Sequence, residues 1–393
     1  MMHRRSILVL LLSIFAHFLW CLDANPLLFF YDMYLTRIVA ATHHVSNIII
    51  DGNIKGNRRI FPSDSIPSLE GKTIWITGAS SGIGRELALQ LASVRPNHLI
   101  LSGRNQDKLQ SVAKACRDAA FQVDGIEMKI KVSIVPFDMS GGPKILDDAV
   151  STALEEAEES GIDILILNAG QYQCSPALDT NLVEAVPHLM QVNFESPVIL
   201  SQKLIQRDHW KERGDGHIVA VSSLMGRGAS PLNAVYSSTK HALRGYFHSL
   251  AAEERSWLRV DVVLPGATDT NLWDGSSTRG IIDGNPNNDK LQSGRTPHAD
   301  ERSKMSVERC AQLIVSSMIG PNFFMFETWI TRNPGLLWVF LASYEPMTFQ
   351  LLTNVIGPMR IDMWRKYGED ALYLPTLLLH MWKCMIDYVS GLY

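Results

Sequence analysis

The chain lacks most of the patterns that would mark a metal, redox or nucleic-acid-binding protein. Its five cysteines, Cys21, Cys116, Cys174, Cys310 and Cys384, are an odd number, widely separated, with no C-x-x-C pair. That spacing excludes the clustered thiols of structural zinc sites and dithiol redox centres, so the cysteines read as packing residues. Lys and Arg number 36 against 40 Asp and Glu, a formal net charge of −4, and the basic residues are scattered. No basic face recommends nucleic acid as a partner. The histidine pair His43-His44 stands alone in a polar stretch and reads as solvated, so no metal is expected. No Asn-x-Ser/Thr sequon occurs, and no glycan therefore marks any part of the chain as lumenal.

Long apolar runs are scarce too, with one exception. Residues 6–22 (SILVLLLSIFAHFLWCL) are uncharged and follow Arg4 and Arg5. Their length lies at the lower edge of what spans a bilayer. A cleavable signal peptide is the rival, but Leu22 occupies the position where a small residue is needed for a cut after Ala24. Residues 1–25 are therefore expected to be an uncleaved anchor, which the positive-inside rule places in the endoplasmic reticulum membrane with Arg4 and Arg5 on the cytosolic side. A cut would instead leave a soluble secreted protein. Residues 26–41 are apolar but carry Asp32 and Arg37, which suits the membrane surface better than its interior. The rest of the segment 26–70 is a linker, broken by Gly52, Gly56, Pro62 and Pro67.

Regular patterning begins at Gly71. Residues 72–77 (KTIWIT) form an apolar β-rich run. The glycine-rich turn Gly78-Ala79-Ser80-Ser81-Gly82-Ile83-Gly84 follows, and then a helical pattern through Leu87, Leu91 and Val94. Strand, glycine turn and helix in this order make a dinucleotide-binding arrangement, in which backbone N–H groups and the helix N-terminus face a pyrophosphate. A second strand at 99–102 ends in Ser102-Gly103-Arg104. NAD sites usually place an acid at this point for the ribose 2′-hydroxyl, whereas an arginine suits the 2′-phosphate of NADP. The sequence has no acid there, and Arg104 points to NADP (NADPH).

The alternation continues. Residues 107–120 and 143–160 read as helices, and 129–137 and 162–167 as strands, the second running into Asn168-Ala169-Gly170. A helix through Asn193, a strand at 216–222, a helix bearing Tyr236 and a strand at 260–264 complete six repeats. Six alternations predict one doubly wound, Rossmann-type parallel sheet in a three-layer αβα domain over residues 71–330. The polar, Gly- and Asn-rich stretch 272–306 is too long for an idle connection and is expected to be a lid or substrate loop. A helix at 307–318 and a last strand at 323–328 are followed by an apolar C-terminal extension, 331–393, in which no stretch reaches transmembrane length.

Ligands bind such sheets beyond the carboxyl ends of the strands, and Gly78, Arg104, Asn168, Ser223 and Pro265 all fall there. Tyr236-Ser237-Ser238-Thr239-Lys240 lies on the helix after the fifth strand. On a helix, Tyr236 and Lys240 share a face one turn apart. A neighbouring ammonium favours the phenolate and is expected to lower the tyrosine pKa, making Tyr236 a usable acid or base. The spacing alone fits any amphipathic helix, so its meaning depends on the surrounding motifs.

Taken together, Thr77-Gly78-x-x-x-Gly82-x-Gly84, Asn168-Ala169-Gly170, Ser223 and Tyr236-x-x-x-Lys240 resemble the short-chain dehydrogenase/reductase family over about residues 71–318. The leader and the tail (Glu327-Thr328-Trp329-Ile330, Leu351-Leu352-Thr353-Asn354) resemble its membrane-anchored member 7 and 11-beta-hydroxysteroid dehydrogenase-like group. The resemblance implies Tyr236 as acid/base, with Lys240 lowering its pKa and holding the nicotinamide ribose. Ser223 would bond the substrate carbonyl, and Asn193 would hold a water path. It implies cofactor contacts from Thr77, Gly78, Ser80, Ser81, Gly82, Ile83, Gly84, Ser102 and Arg104, from Asp138 near the adenine and from Asn168, Ala169 and Gly170. Further contacts would come from Pro265, Gly266, Thr268 and Thr270 around the carboxamide, besides Tyr236 and Lys240. Thr268 departs from the usual apolar residue of P-G-x-V-x-T, and Ser196 from a frequent glycine. The implied activity is NADP(H)-dependent interconversion of a carbonyl and an alcohol on a small lipophilic substrate such as a steroid or retinoid, at a membrane, with a homodimer allowed. A non-catalytic nucleotide-binding membrane scaffold with the same fold is the alternative.

Overall fold

The computed structural model describes residues 69–121, 130–254, 256–270, 272, 305–319, 327–330, 342–343 and 361–362, all within one unit, Ile66–Met381. The expected anchor, the linker up to residue 68, the stretch 273–304 and nearly all of the C-terminal extension lie outside these residues. Among the described residues, no helix is long and apolar enough to cross a membrane.

Among the described residues, seven strands form one sheet: β1 (Thr73–Thr77), β2 (His98–Gly103), β3 (Lys131–Pro136), β4 (Ile164–Leu167), β5 (Gly216–Val221), β6 (Leu258–Pro265) and β7 (Glu327–Ile330). Their order is β3-β2-β1-β4-β5-β6-β7, and every pairing is parallel. The central strands β1, β4 and β5 are buried at every position, which is why their sequences are unbroken apolar runs: helices cover both faces. Edge strand β3 is buried only in part and opens and closes on exposed residues. The last strand is described at Glu327–Ile330, overlapping the end of the 323–328 expected, while residues 323–326 lie outside the described residues.

The connecting helices are α1 (Gly82–Ala92), α2 (Gln106–Phe121), α3 (Gly142–Ala157), α4 (Leu182–Met190), α5 (Ser196–Arg207), α6 (Ala234–Glu253) and α7 (Val307–Ile319), with a separate four-residue helix at Trp210–Arg213. Helix α1 buries Leu87, Ala88, Leu91 and Ala92, an i, i+4 stripe that packs on the sheet. Helix α6 buries Tyr236, Lys240, Leu243, Phe247 and Ala251 on one stripe. The polar pair thus occupies the first turns of the face that the apolar residues continue.

Strand order reverses between β1 and β4. Chains leave these two neighbours toward opposite sides, opening a crevice at their carboxyl ends.

Candidate active site

The glycine turn is closed against side chains. Gly78 and Gly82 have φ of +68° and +53°, where a Cβ is disfavoured. A Cβ on Gly78 would come within 2.8 Å of Ala169 Cα, and one on Gly84 would collide with the Gly78 carbonyl and the Asn168 amide. Asn168 Nδ2 donates to the carbonyls of Thr77 (3.1 Å) and Gly78 (3.3 Å). Thr77 Oγ1 in turn accepts the N–H groups of Asn168 (3.1 Å) and Ala169 (3.2 Å). The two strands at the switch point are thereby locked to each other. Ser81, the N-cap of α1, is extended and its side chain makes no cap bond. Its backbone leads directly into Ile83 and Gly84, whose first-turn N–H groups suit an external anion.

At the ends of β2 and β3 the residues divide. Ser80 lies against Gly103. Ser102 is fully buried and its Oγ accepts Trp75 Nε1–H at 2.8 Å, so its hydroxyl faces the core and not the cleft. Only its carbonyl serves the turn, accepting Ala79 N–H at 2.9 Å. Arg104 is exposed. Asp138 Oδ1 accepts both the N–H and the hydroxyl of Ser140 at 2.9 Å. Both charges reach His188 of α4, whose pKa is lowered by burial first, with Asp138 opposing and Arg104 adding.

Asn193 sits in a π-helical turn, Gln191–Glu195, between α4 and α5. The extra residue of a π turn pushes one side chain out of the regular helical register, a feature frequent at functional sites. Asn193 is fully buried. Its Oδ1 accepts Gln171 N–H (2.8 Å), and its Nδ2 donates to Gln171 O (2.9 Å) and Thr239 Oγ1 (3.1 Å). A Cβ added to Gly170 would stand 3.2 Å from Asn193 Oδ1 and 3.5 Å from Lys240 Nζ, so these three residues meet at one point.

Tyr236 and Lys240 are 6% and 4% exposed. Lys240 Nζ donates to the Val221 carbonyl at 3.0 Å and stands 5.9 Å from the centre of the Tyr236 ring. Burial pushes the Tyr236 phenol up to about 12, while a hydrogen bond from Ser223 pulls it down. Burial pulls Lys240 down to about 8. The expectation of a depressed tyrosine pKa is therefore reversed: desolvation outweighs the Ser223 hydrogen bond, and the Lys240 ammonium is directed to the Val221 carbonyl. Ser223 follows β5 and caps a single helical turn, Leu224–Gly226, by accepting Met225 N–H at 3.2 Å.

After β6, Gly266 N–H donates to Ile330 O at 2.8 Å and Thr268 Oγ1 donates to Gly266 O at 3.1 Å. Thr268 also bridges Met305. The methyl of Thr270 lies 3.4 Å from where a Cβ on Gly82 would be. The segment from Pro265 to Thr270 thus reaches back to the glycine turn.

The profile of a family described as short chain dehydrogenase matches residues 72–279. The chain belongs to this family. Dehydrogenase/reductase SDR family member 7 of Homo sapiens is 32% identical over 300 residues, covering 76% of this chain and 81% of that protein, in keeping with the member 7 likeness read in the sequence. Two solved structures share the fold. A short chain dehydrogenase/reductase from Burkholderia phymatum in complex with NAD has a TM-score of 0.59 at 21% identity, covering 72% of this chain and 96% of its own. An actinorhodin polyketide ketoreductase with NADPH has a TM-score of 0.54 at 22% identity, covering 70% of this chain and 98% of its own. Family membership makes this an oxidoreductase fold with nicotinamide-bound neighbours, and those neighbours carry either cofactor.

Three residues of this short-chain dehydrogenase that the motifs do not single out also touch the site. Gln171 holds Asn193 through its backbone. Tyr172 meets the Tyr236 ring edge-on, at 4.9 Å between centres and 72° between planes. Gln173 reaches the Tyr236 backbone. Their one signal in the sequence is position, immediately after Asn168-Ala169-Gly170 at the carboxyl end of a central strand.

Proposed function

We propose that the protein is an NADP(H)-dependent, membrane-attached oxidoreductase that interconverts carbonyl and alcohol groups on a lipophilic substrate of the steroid or retinoid kind. The observation that carries this reading is the Ser223-Tyr236-Lys240 constellation, with Tyr236 and Lys240 buried and Ser223 half-buried, at the same sheet edge as a glycine turn too tight for side chains at 78 and 84. The turn fits a dinucleotide, because its glycines let it close tightly ahead of α1, whose first-turn N–H groups suit a pyrophosphate. Arg104 at the end of β2, with no acid at 102 or 103, supports the phosphorylated form.

When bound there, the nicotinamide supplies or accepts the hydride. The side chains of this chain manage the oxygen. Tyr236, held neutral by burial, gives its phenolic proton to the carbonyl oxygen as negative charge grows on it, and takes that proton back in the oxidative direction. Ser223 bonds the same oxygen and stabilises the charge most strongly at the transition state. Lys240 remains mostly protonated at neutral pH, with a pKa near 8. It offsets the phenolate that Tyr236 becomes and holds the ribose. Asn193, gripping Gln171 and Thr239, shapes the route by which the proton is replaced.

Lipophilic chemistry is supported by the surface near the site. Four of the six exposed large apolar side chains among the described residues, Leu178, Leu182, Val183 and Val186, lie on the segment that follows the Gln171–Ser175 stretch. In this reading residues 1–25 anchor the chain in the endoplasmic reticulum membrane, 26–70 connect, 71–330 form the catalytic domain and 331–393 add an apolar extension.

The test is NADPH consumption by the detergent-solubilised full chain with retinal, ketosteroids and quinones. Tyr236→Phe is expected to lower kcat roughly 10²- to 10⁴-fold, the range of a general acid/base contribution, with NADPH binding retained. Substantial residual turnover in that variant would remove the role of the hydroxyl. NADPH binding without turnover of any of these carbonyls by the unaltered chain would instead favour a scaffold.

A further inference from the structure

The loop after β4 does more than pass the site. Gln173 is 1% exposed, and its amide spans two parts of the chain that lie far apart in sequence. Nε2 donates to Ser175 O (3.0 Å), Ser175 Oγ (2.9 Å) and Leu232 O (3.3 Å), with Thr180 Oγ1 at 3.5 Å. Oε1 accepts the backbone N–H of Tyr236 at 3.5 Å.

The receiving end is strained and uncapped by its own residues. Leu232 has φ of +73°, a region that a branched side chain enters at a cost of about 1–3 kcal/mol. Its carbonyl is held a second time by Ser175 N–H at 2.8 Å. The N-cap of α6 is Asn233, whose side chain makes no cap bond; its Nδ2 turns back to Pro231 O at 3.2 Å instead. Tyr236 is the third residue of α6, one of the positions whose N–H lacks an intrahelical partner and normally takes a side-chain cap. Here the cap arrives from another loop.

Resting on the acid/base reading of Tyr236, we infer that Gln173 is a positioning residue for proton transfer. Its carboxamide fixes where the catalytic helix begins by holding the Leu232 carbonyl with one end and the Tyr236 N–H with the other. A shift of the helix start moves the phenol and Ser223 out of line while leaving the glycine cradle, on other strands, untouched.

Gln173→Met keeps the length and removes both contacts. It is expected to lower kcat roughly 10- to 100-fold, the scale of a small misplacement of reacting groups. KM and the NADPH Kd should stay within about 3-fold of wild type. Added to Tyr236→Phe, Gln173→Met should cause no further loss, because it acts through the hydroxyl already absent. An equal loss in that background, a parallel loss of NADPH binding, or an unchanged kcat would each overturn the inference. Failure of the Tyr236 reading is separate, since it shows in Tyr236→Phe alone.

Two measurements do not depend on a substrate. Amide exchange at residues 233–237 should quicken about 10-fold or more in Gln173→Met, while residues 78–84 keep their protection; uniform loosening, or none, counts against the inference. Leu232→Gly, which relieves the left-handed strain, should restore slow exchange at 233–237 when combined with Gln173→Met. No restoration would overturn the bracing role.

Discussion

At the amino edge of the sheet, Asp261 of β6 accepts from His217 of β5 at 2.8 Å and from Arg259 at 3.0 Å, with side chains 8%, 10% and 20% exposed. Lys72, ahead of β1, meets Asp215 at 2.9 Å and Asp163 at 3.5 Å. At the carboxyl edge, Lys240 is more deeply buried and has the Val221 carbonyl at 3.0 Å in place of a carboxylate. The two lysines respond in opposite directions. Burial alone shifts Lys240, down to about 8. Burial also pulls on Lys72, but the hydrogen bond and charge of Asp215 and Asp163 outweigh it and its pKa rises. One edge neutralises its charges for stability; the other keeps an unmatched ammonium and a hard-to-ionise phenol, an arrangement that favours chemistry over stability.

The largest effect that would break this contrast comes from the amino edge. Asp261→Asn leaves His217 and Arg259 without their shared carboxylate, and truncating one member of a buried charge cluster costs about 3–5 kcal/mol. Denaturant unfolding should show that loss while kcat of the folded fraction is retained; a collapse of kcat at unchanged stability would erase the division between the edges. The converse variant is Lys240→Met, which should abolish most turnover yet leave stability at pH 7 equal or higher.

A smaller effect sharpens the same point through pH. Lys240 titrates at about 8 in the folded chain against 10.5 unfolded. Between those values the unfolded chain holds the extra proton, so stability rises as pH increases from about 8 to 10.5. For Tyr236 the folded value of about 12 exceeds 10, so stability falls again between about 10 and 12. Lys240→Met should flatten the rise and leave the fall, as read from unfolding midpoints across that range. The smallest effect belongs to Arg104, which is exposed. Arg104→Ala should reduce the preference for NADPH over NADH about 10-fold, the equivalent of one charge-assisted contact, measured as the ratio of kcat/KM values. An unchanged ratio would remove the assignment to the 2′-phosphate.

Much of the fold was legible because the central strands are unbroken apolar runs separated by glycine turns, and that pattern survives without tertiary context. The glycine cradle and the Tyr236–Lys240 face were legible for the same local reason. Other features depend on contacts between distant residues. The π turn at Gln191–Glu195 adds one residue to a helix without altering its apolar pattern. Whether Ser102 faces the cleft or Trp75 depends on which neighbour lies across the strand, and a hydroxyl suits either. The acidity of Tyr236 was misread because spacing reports the nearby cation but not the depth of burial, and depth decided the sign. Gln173 gave no signal beyond its position after Asn168-Ala169-Gly170, and Leu232 gave none, since their partnership joins loops 59 residues apart.

The Asn168 side chain occupies the volume that Cβ atoms on Gly78 and Gly84 would fill, and it ties both Thr77 and Gly78 to β4. The nucleotide cradle is therefore shaped by a residue about 90 positions downstream. A nascent chain that has released α1 from the ribosome still lacks one wall of its cradle. In the proposed reading, capture of a dinucleotide waits until β4 has emerged and docked, so cofactor binding is coupled to a strand made well after the first and not to the first folded strand.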